Sequence, residues 1–237
     1  LTISKIGVLF LHGYTGGRFE LEPTFRYLKK RYDFEYEFPQ YPGHGTTLNL
    51  SYVTGDDWYR EAEEAYLNLA ARADKIFVIG FSMGGVFASF IAQKYQVDKL
   101  VLIAPAFDHT KLSRLNRLKL SPVEVRDHIE LNLAAKVRPR LKNIPLRAMQ
   151  EFIKIVEAKI GDLKNIRCET LLIHGKIDLL VPYQTSIEAK EKILHSKLVL
   201  MEHTPHLIMY TEDKLLKLNI LTERFLFLDV QLKHLVD

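Results

Sequence analysis

KIFVIGFSMGGVFASFIAQKY, residues 75–95, decides the fold. After Lys75 an apolar run too short for a helix reads as a buried strand, and the stretch from Met83 onward reads as a helix. One tight turn joins them, and it holds Ser82 between Gly80 and Gly84 in the pattern G-x-S-x-G. A serine on such a bend has strained backbone angles, and side chains two residues before and after it would collide, which explains both glycines. The bend lifts the hydroxyl off the end of the sheet. It also sets a helix N-terminus, with its free N–H groups and positive dipole end, beneath a reacting carbonyl. Ser82 is therefore a candidate nucleophile and the Met83 N–H a candidate oxyanion donor. A Gly-rich packing turn would account for the glycines as well, so the rest of the chain has to choose.

Four other short apolar runs read as strands: KIGVLFLHG from Lys5, KLVLIAP from Lys99, ETLLIHG from Glu169 and KLVLME from Lys197. They are nearly continuous rather than alternating, as in a parallel sheet covered on both faces. DFEYEFP, residues 33–39, alternates and suits a strand nearer the edge. Helical patterns lie between the strands. FELEPTFRYLKKRY takes Pro23 into its first turn. DDWYREAEEAYLNLAARA opens on an acidic cap at Asp56 and puts Trp58, Ala62, Ala65, Tyr66 and Leu69 on one face. YQTSIEAKEKILH and TEDKLLKLNILTERFLFL fill the C-terminal third. Alternation of this kind predicts an α/β fold with a doubly wound, mostly parallel sheet.

One segment breaks the rhythm. From Asp108 to Asn165 there is no good strand, and SPVEVRDHIELNLAAKV and PLRAMQEFIKIVEAKIGDL read as helices joined by a linker with Pro139 and Pro145. We read 108–165 as a helical insertion into a core made of 1–107 and 166–237. The chain of 237 residues carries a net charge of +4, unevenly placed. The insertion has 13 Lys+Arg against 7 Asp+Glu, leaving 20 against 22 elsewhere. Basic charge confined to one segment speaks against nucleic-acid binding by the whole protein, and a solvated helical face explains it. No run reaches the length of a membrane-spanning helix, so no stable membrane insertion is expected. The apolar opening leads into a glycine loop without a basic leader, and reads as a strand rather than a signal peptide. Cys168 is the one cysteine; it lies in an apolar run and fits a buried structural thiol in a reducing cytoplasm.

A serine nucleophile needs a base, and the base an orienting acid. In this architecture they follow in the order serine, acid, histidine, each on a loop at the carboxyl end of a later strand. KIDLLVP follows TLLIHG and puts Asp178 where the acid belongs; HTPHLIMY follows KLVLME, where His203 and His206 compete for the base. The Gly-rich turn in LFLHGYTGG supplies a second oxyanion donor, the N–H of Tyr14, with the Tyr14 side chain lining the acyl pocket or bonding across it. His12 reads as a brace for that loop rather than a titrating group.

With HGYTG (12–16), YPGHG (41–45), GFSMGG (80–85), IHGKIDLLVP (173–182) and HTPHLI (203–208), the chain resembles the α/β-hydrolase superfamily, specifically its small bacterial carboxylesterases and monoacylglycerol lipases. The resemblance implies Ser82 as nucleophile, Asp178 as acid, His206 as base, and the N–H groups of Tyr14 and Met83 as the oxyanion hole. It implies a small helical cap after the sixth strand of that fold, where 108–165 falls. Thr204 and Pro205 depart from the small residues usual before the final histidine and leave the path of that loop open. The expected activity is hydrolysis of short- to medium-chain acyl esters, including monoacylglycerols, through an acyl-enzyme, with no metal and no organic cofactor. The expected partner is the small-molecule ester itself. The same triad suits a thioesterase, an amidase or a carbon–carbon hydrolase, and the same fold suits a non-catalytic ligand binder. A basic, amphipathic insertion would also suit association with a lipid surface.

Overall fold

The computed structural model describes residues 4–108 and 144–228. Six parallel strands form one sheet: β1 (Ile6–Leu11), β2 (Glu35–Glu37), β3 (Lys75–Phe81), β4 (Lys99–Ile103), β5 (Glu169–Gly175) and β6 (Ser196–Met201). Their order is β2-β1-β3-β4-β5-β6, so β2, the strand with the alternating pattern, is an edge. Beyond its first residue, each of β1, β3, β4 and β5 is buried at every position. Side chains that alternate along them enter two separate cores. Leu9, Leu11, Val78, Leu100, Leu102 and Leu172 point to one face, while Val8, Phe10, Ile79, Phe81, Val101 and Ile103 point to the other. This is why the runs read as continuous: both faces are covered.

Six helices are described: α1 (Glu22–Lys29), α2 (Gly55–Ala70), α3 (Met83–Lys94), α4 (Leu146–Ile160), α5 (Gln184–Lys192) and α6 (Glu212–Phe227). The first core takes Trp58, Ala62 and Leu69 of α2, Val86, Phe87 and Ile91 of α3, Phe152, Ile155 and Val156 of α4, and Ala189 of α5. The second takes Leu28 of α1 and Leu218, Leu221 and Phe225 of α6. Helices on both sides of one parallel sheet make a doubly wound α/β fold. Fully burying a Leu, Val or Phe contributes about 1.5–3 kcal/mol, so these two layers hold the sheet ends where the loops need them. Among the described residues no helix is long and apolar enough to cross a membrane.

Two local readings are refined. Pro23 does sit in the first turn of α1, but the chain enters that helix through a separate 3-10 turn at Arg18–Glu20. The cap of α2 is Thr54, not Asp56: the Thr54 hydroxyl accepts the Asp57 N–H, and the Asp57 carboxylate accepts the Thr54 N–H. This reciprocal pair satisfies two N–H groups at once, which a lone acid at the helix start cannot do.

Of the stretch 108–165, residues 109–143 lie outside the described residues, and with them the first expected helix. The second forms α4 between β4 and β5. Its apolar face packs into the core as a crossover between parallel strands requires. Polar bonds fasten it further. Glu151 accepts the Gly55 N–H, Arg147 donates to the Ser51 carbonyl, and Gln93 donates to the Ile160 carbonyl.

Candidate active site

Ser82 stands at the junction of β3 and α3 with φ 53 and ψ −117. A side-chain-bearing residue rarely adopts this left-handed conformation, which persists only where neighbours hold it. Here they do. The Ser82 N–H donates to the Ile103 carbonyl at 3.0 Å, and its own carbonyl accepts the N–H groups of Gly85 and Ala106 at 2.9 and 3.1 Å. The flanking glycines are required by close approach. A Cβ on Gly80 would lie 2.4 Å from the Gly84 carbonyl oxygen, and one on Gly84 would lie 2.1 Å from that of Leu11. Gly84 thus lets α3 start directly against the end of β1.

Asp178 follows β5 and is buried at 8% exposure. Its Oδ1 accepts the N–H groups of Leu180 and Val181 at 2.9 and 2.7 Å. Its Oδ2 lies 2.6 Å from His206 Nδ1, and His206 Nε2 lies 3.1 Å from Ser82 Oγ. Burial alone would push the Asp178 carboxyl up, but the charge of His206 and hydrogen bonds from His174 and His206 outweigh it and bring the group down to about 2. His206 is itself buried, its ring 5.1 Å from that of Phe81. His203 is exposed, at φ 48, in the same loop.

The loops that carry the acid and the imidazole are tied to each other. Lys176 and Ile177 donate their N–H groups to the carbonyls of Met201 and Thr204 at 3.0 and 3.2 Å. Thr204, fully buried, turns its hydroxyl onto the Glu202 carbonyl. Thr204 and Pro205 therefore belong to a loop held on both sides.

Tyr14 occupies a turn after β1 closed by the Gly16 N–H on the Gly13 carbonyl, with Thr15 at φ 59. Met83 is the first residue of α3, where a helix has no intrahelical partner for its N–H. The Tyr14 ring does not stand free beside the serine: it stacks on Phe152 of α4 and meets Trp58 and His44. Its hydroxyl is buried without a hydrogen-bond partner among the described residues, and burial pushes the phenol up. His12 is fully buried, accepts the Tyr41 N–H at Nε2 and faces the Gly13 carbonyl with Nδ1. Burial first, then the nearby His44, push its imidazole down to about 3, so it is a neutral brace.

Two residues of this region were not anticipated. Glu20, 5% exposed, accepts the Gly13 N–H at 2.8 Å and so pins the loop that carries Tyr14. His174, fully buried on β5, donates to the same Asp178 oxygen as His206 does, at 3.0 Å. His174 is marked in the sequence only as an ionisable residue in an apolar run, and Glu20 by nothing beyond its charge. Cys168 lies apart from this constellation, and burial pushes its thiol up to about 11. Among the described residues no group of three His, Cys, Asp or Glu side chains is arranged to hold a metal ion. A hydroxyl, an imidazole and a carboxylate in a hydrogen-bonded row can pass the hydroxyl proton to the ring while the oxygen attacks an electrophilic carbon.

Comparison with known proteins agrees with this architecture. A family model described as the alpha/beta hydrolase family matches residues 8–217. A thermostable monoacylglycerol lipase of Bacillus sp. (strain H-257) is 36% identical over 92 residues, 38% of this chain and 36% of the relative. A carboxylesterase of Bacillus subtilis is 36% identical over 83 residues, 34% of this chain and 33% of the relative. The chain thus matches only about a third of the length of these two relatives. Among solved structures, one reported for LipS and LipT, two metagenome-derived lipolytic enzymes, superposes with a TM-score of 0.75 at 22% identity. That superposition covers 94% of this chain and 93% of the other and speaks to the fold.

Proposed function

The chain belongs to the alpha/beta hydrolase family, and from that premise we propose that it is a serine hydrolase of short- to medium-chain carboxylic esters, monoacylglycerols among them. The single observation that carries the reading is the row Ser82 Oγ, His206, Asp178, joined at 3.1 and 2.6 Å. In the first half-reaction His206 Nε2 takes the Ser82 proton as Oγ bonds to the ester carbonyl carbon. The N–H groups of Tyr14 and Met83 hold the resulting oxyanion. The intermediate collapses with loss of the alcohol, whose oxygen receives the proton from His206, and the acyl group stays on Ser82. Water then gives a proton to His206 as it attacks the acyl carbon. Collapse releases the acid and returns the proton to Ser82.

Asp178 keeps its charge throughout. A carboxyl held at about 2 is ionised at neutral pH, where it fixes the His206 tautomer and stabilises the imidazolium as it forms. A strained serine above a helix N-terminus supports the assignment of charge stabilisation to backbone N–H groups rather than to a cation. The lipase and carboxylesterase named above support an ester as the bond attacked.

Mass spectrometry after fluorophosphonate treatment tests the reading, with Ser82→Ala as control. One adduct, on the Ser82 peptide and absent from the control, is expected. A folded protein without an adduct overturns it. Matched ester, thioester and amide substrates then assign the bond, and p-nitrophenyl esters of graded length assign the acyl chain.

A further inference from the structure

The triad acid faces two imidazoles. His206, from the loop after β6, and His174, from β5 itself, both reach Asp178 Oδ2, at 2.6 and 3.0 Å. His174 Nε2 also lies 3.0 Å from the Val181 carbonyl. A carboxylate and a carbonyl can only accept, so Nε2 must carry a proton. The other ring nitrogen, Nδ1, lies 2.7 Å from the hydroxyl of Ser186 on α5. With Nε2 protonated, a neutral ring accepts the Ser186 O–H there. His174 and Ser186 are both fully buried.

We propose that His174 and Ser186 form a second arm on Asp178 and are positioning residues for the reaction. The row then runs Ser82, His206, Asp178, His174, Ser186, with the carboxylate at its centre. Leu180 and Val181 N–H groups fix Oδ1, and His174 fixes Oδ2 and shares its electron density with His206. The arm does two things. It completes the set of donors around a buried carboxylate, and it limits how strongly Oδ2 draws on the His206 proton. The charged groups that face it are Asp178, from the loop after β5, and across that carboxylate His206, from the loop after β6. From α5 it meets the neutral Ser186 hydroxyl. The proposal rests on the ester-hydrolase reading of this site.

The test measures the rate of fluorophosphonate labelling of the full chain from pH 4 to 9. His174→Leu fills the space without a donor. It is expected to slow labelling on the order of tenfold to a hundredfold, since small misplacements of a reacting group cost that much. It is also expected to move the acid limb to higher pH, because Oδ2 then serves His206 alone. His174→Gln returns an N–H donor near the Nε2 position and is expected to restore both rate and limb. Ser186→Ala is expected to move the limb the same way by less. A folded His174→Leu with the wild-type rate and limb overturns the proposal, because a residue that only packs would change stability and nothing else. Where His174→Leu does not fold, wild-type behaviour of Ser186→Ala overturns it instead, and a slower rate with a raised limb supports it. Wild-type protein that takes no label sinks the ester-hydrolase reading and this inference together. A labelled wild type with indifferent variants sinks the inference alone.

Discussion

Tyr14 and Phe152 stack with ring centroids 4.5 Å apart and planes 21° from parallel. The contact ties the turn after β1 to α4, and so joins the proposed oxyanion loop to a helix that comes late in the chain. Three variants separate what the Tyr14 side chain does from what its backbone does. The hydroxyl has no hydrogen-bond partner among the described residues, so Tyr14→Phe should leave the melting temperature unchanged or raise it, with labelling within about twofold of wild type. Tyr14→Ala loses the stack. Tyr14→Pro loses the stack and the N–H, in a turn whose next residue, Thr15, has positive φ, the setting in which proline is common. Tyr14→Pro should therefore label about a hundredfold more slowly than Tyr14→Ala. Equal rates in the two would remove Tyr14 from the oxyanion hole.

Gly84 is a steric requirement of the site. Any Cβ there meets the Leu11 and His12 carbonyl oxygens at 2.1 and 2.5 Å, and backbone cannot swing aside as a long side chain can. Gly84→Ala must push α3 away from β1. A cost of about 1–3 kcal/mol is expected, together with a slower labelling rate, because the gap opens between Met83 and the Tyr14 turn. Urea unfolding and labelling measured on the same preparation check this. Wild-type values for both would mean that the two elements can part without consequence.

Much of this was legible because it depends on local pattern. Buried parallel strands betray themselves as unbroken apolar runs, and G-x-S-x-G needs only the few residues around it. The contacts of His174 and Glu20 were not legible, because each depends on which way one side chain points once distant segments meet. In the sequence His174 is one polar residue near the end of an apolar run. It becomes part of the site because β5 carries it inward to a turn four residues on. Glu20 is one of two acids in FELEPTFRYLKKRY, and only the folded turn brings the Gly13 N–H to it. The role of α4 was hidden for a related reason. An amphipathic helix shows that it covers something, but not whether that is a pocket or a core.

His12 gives the fold a pH dependence with a definite sign. Its imidazole is held at about 3 against an ordinary 6.5, first by burial and then by His44. As pH falls below 6.5 the unfolded chain takes up this proton before the folded one does. The stability associated with a neutral His12 is therefore complete above about 6.5 and is lost progressively toward 3. The slope is about 1.4 kcal/mol per pH unit, or roughly 2 kcal/mol between pH 6.5 and 5. His12→Gln retains an acceptor for the Tyr41 N–H and has no proton to gain. Urea stability at pH 7.5 and 5.0 should fall by about 2 kcal/mol more in wild type than in His12→Gln. Parallel losses in the two proteins would show that His12 is not the group responsible.

The two histidines after β6 differ in environment and should differ in consequence. His206 is buried between Ser82 and Asp178 at hydrogen-bond distance from both, whereas His203 is exposed at φ 48. His206→Gln removes the proposed base and should reduce ester turnover on the order of 10⁴-fold or more, with little change in KM, since the ring acts in the transition state rather than in binding. His203→Asn should leave turnover within about twofold, because asparagine tolerates positive φ and the imidazole is exposed rather than buried in the row. Its melting temperature should be unchanged for the same reason. Steady-state kinetics on one p-nitrophenyl ester compares all three proteins directly. A large loss in His203→Asn with a mild one in His206→Gln would exchange the two roles, and the loop after β6 would have to move to bring His203 to the serine.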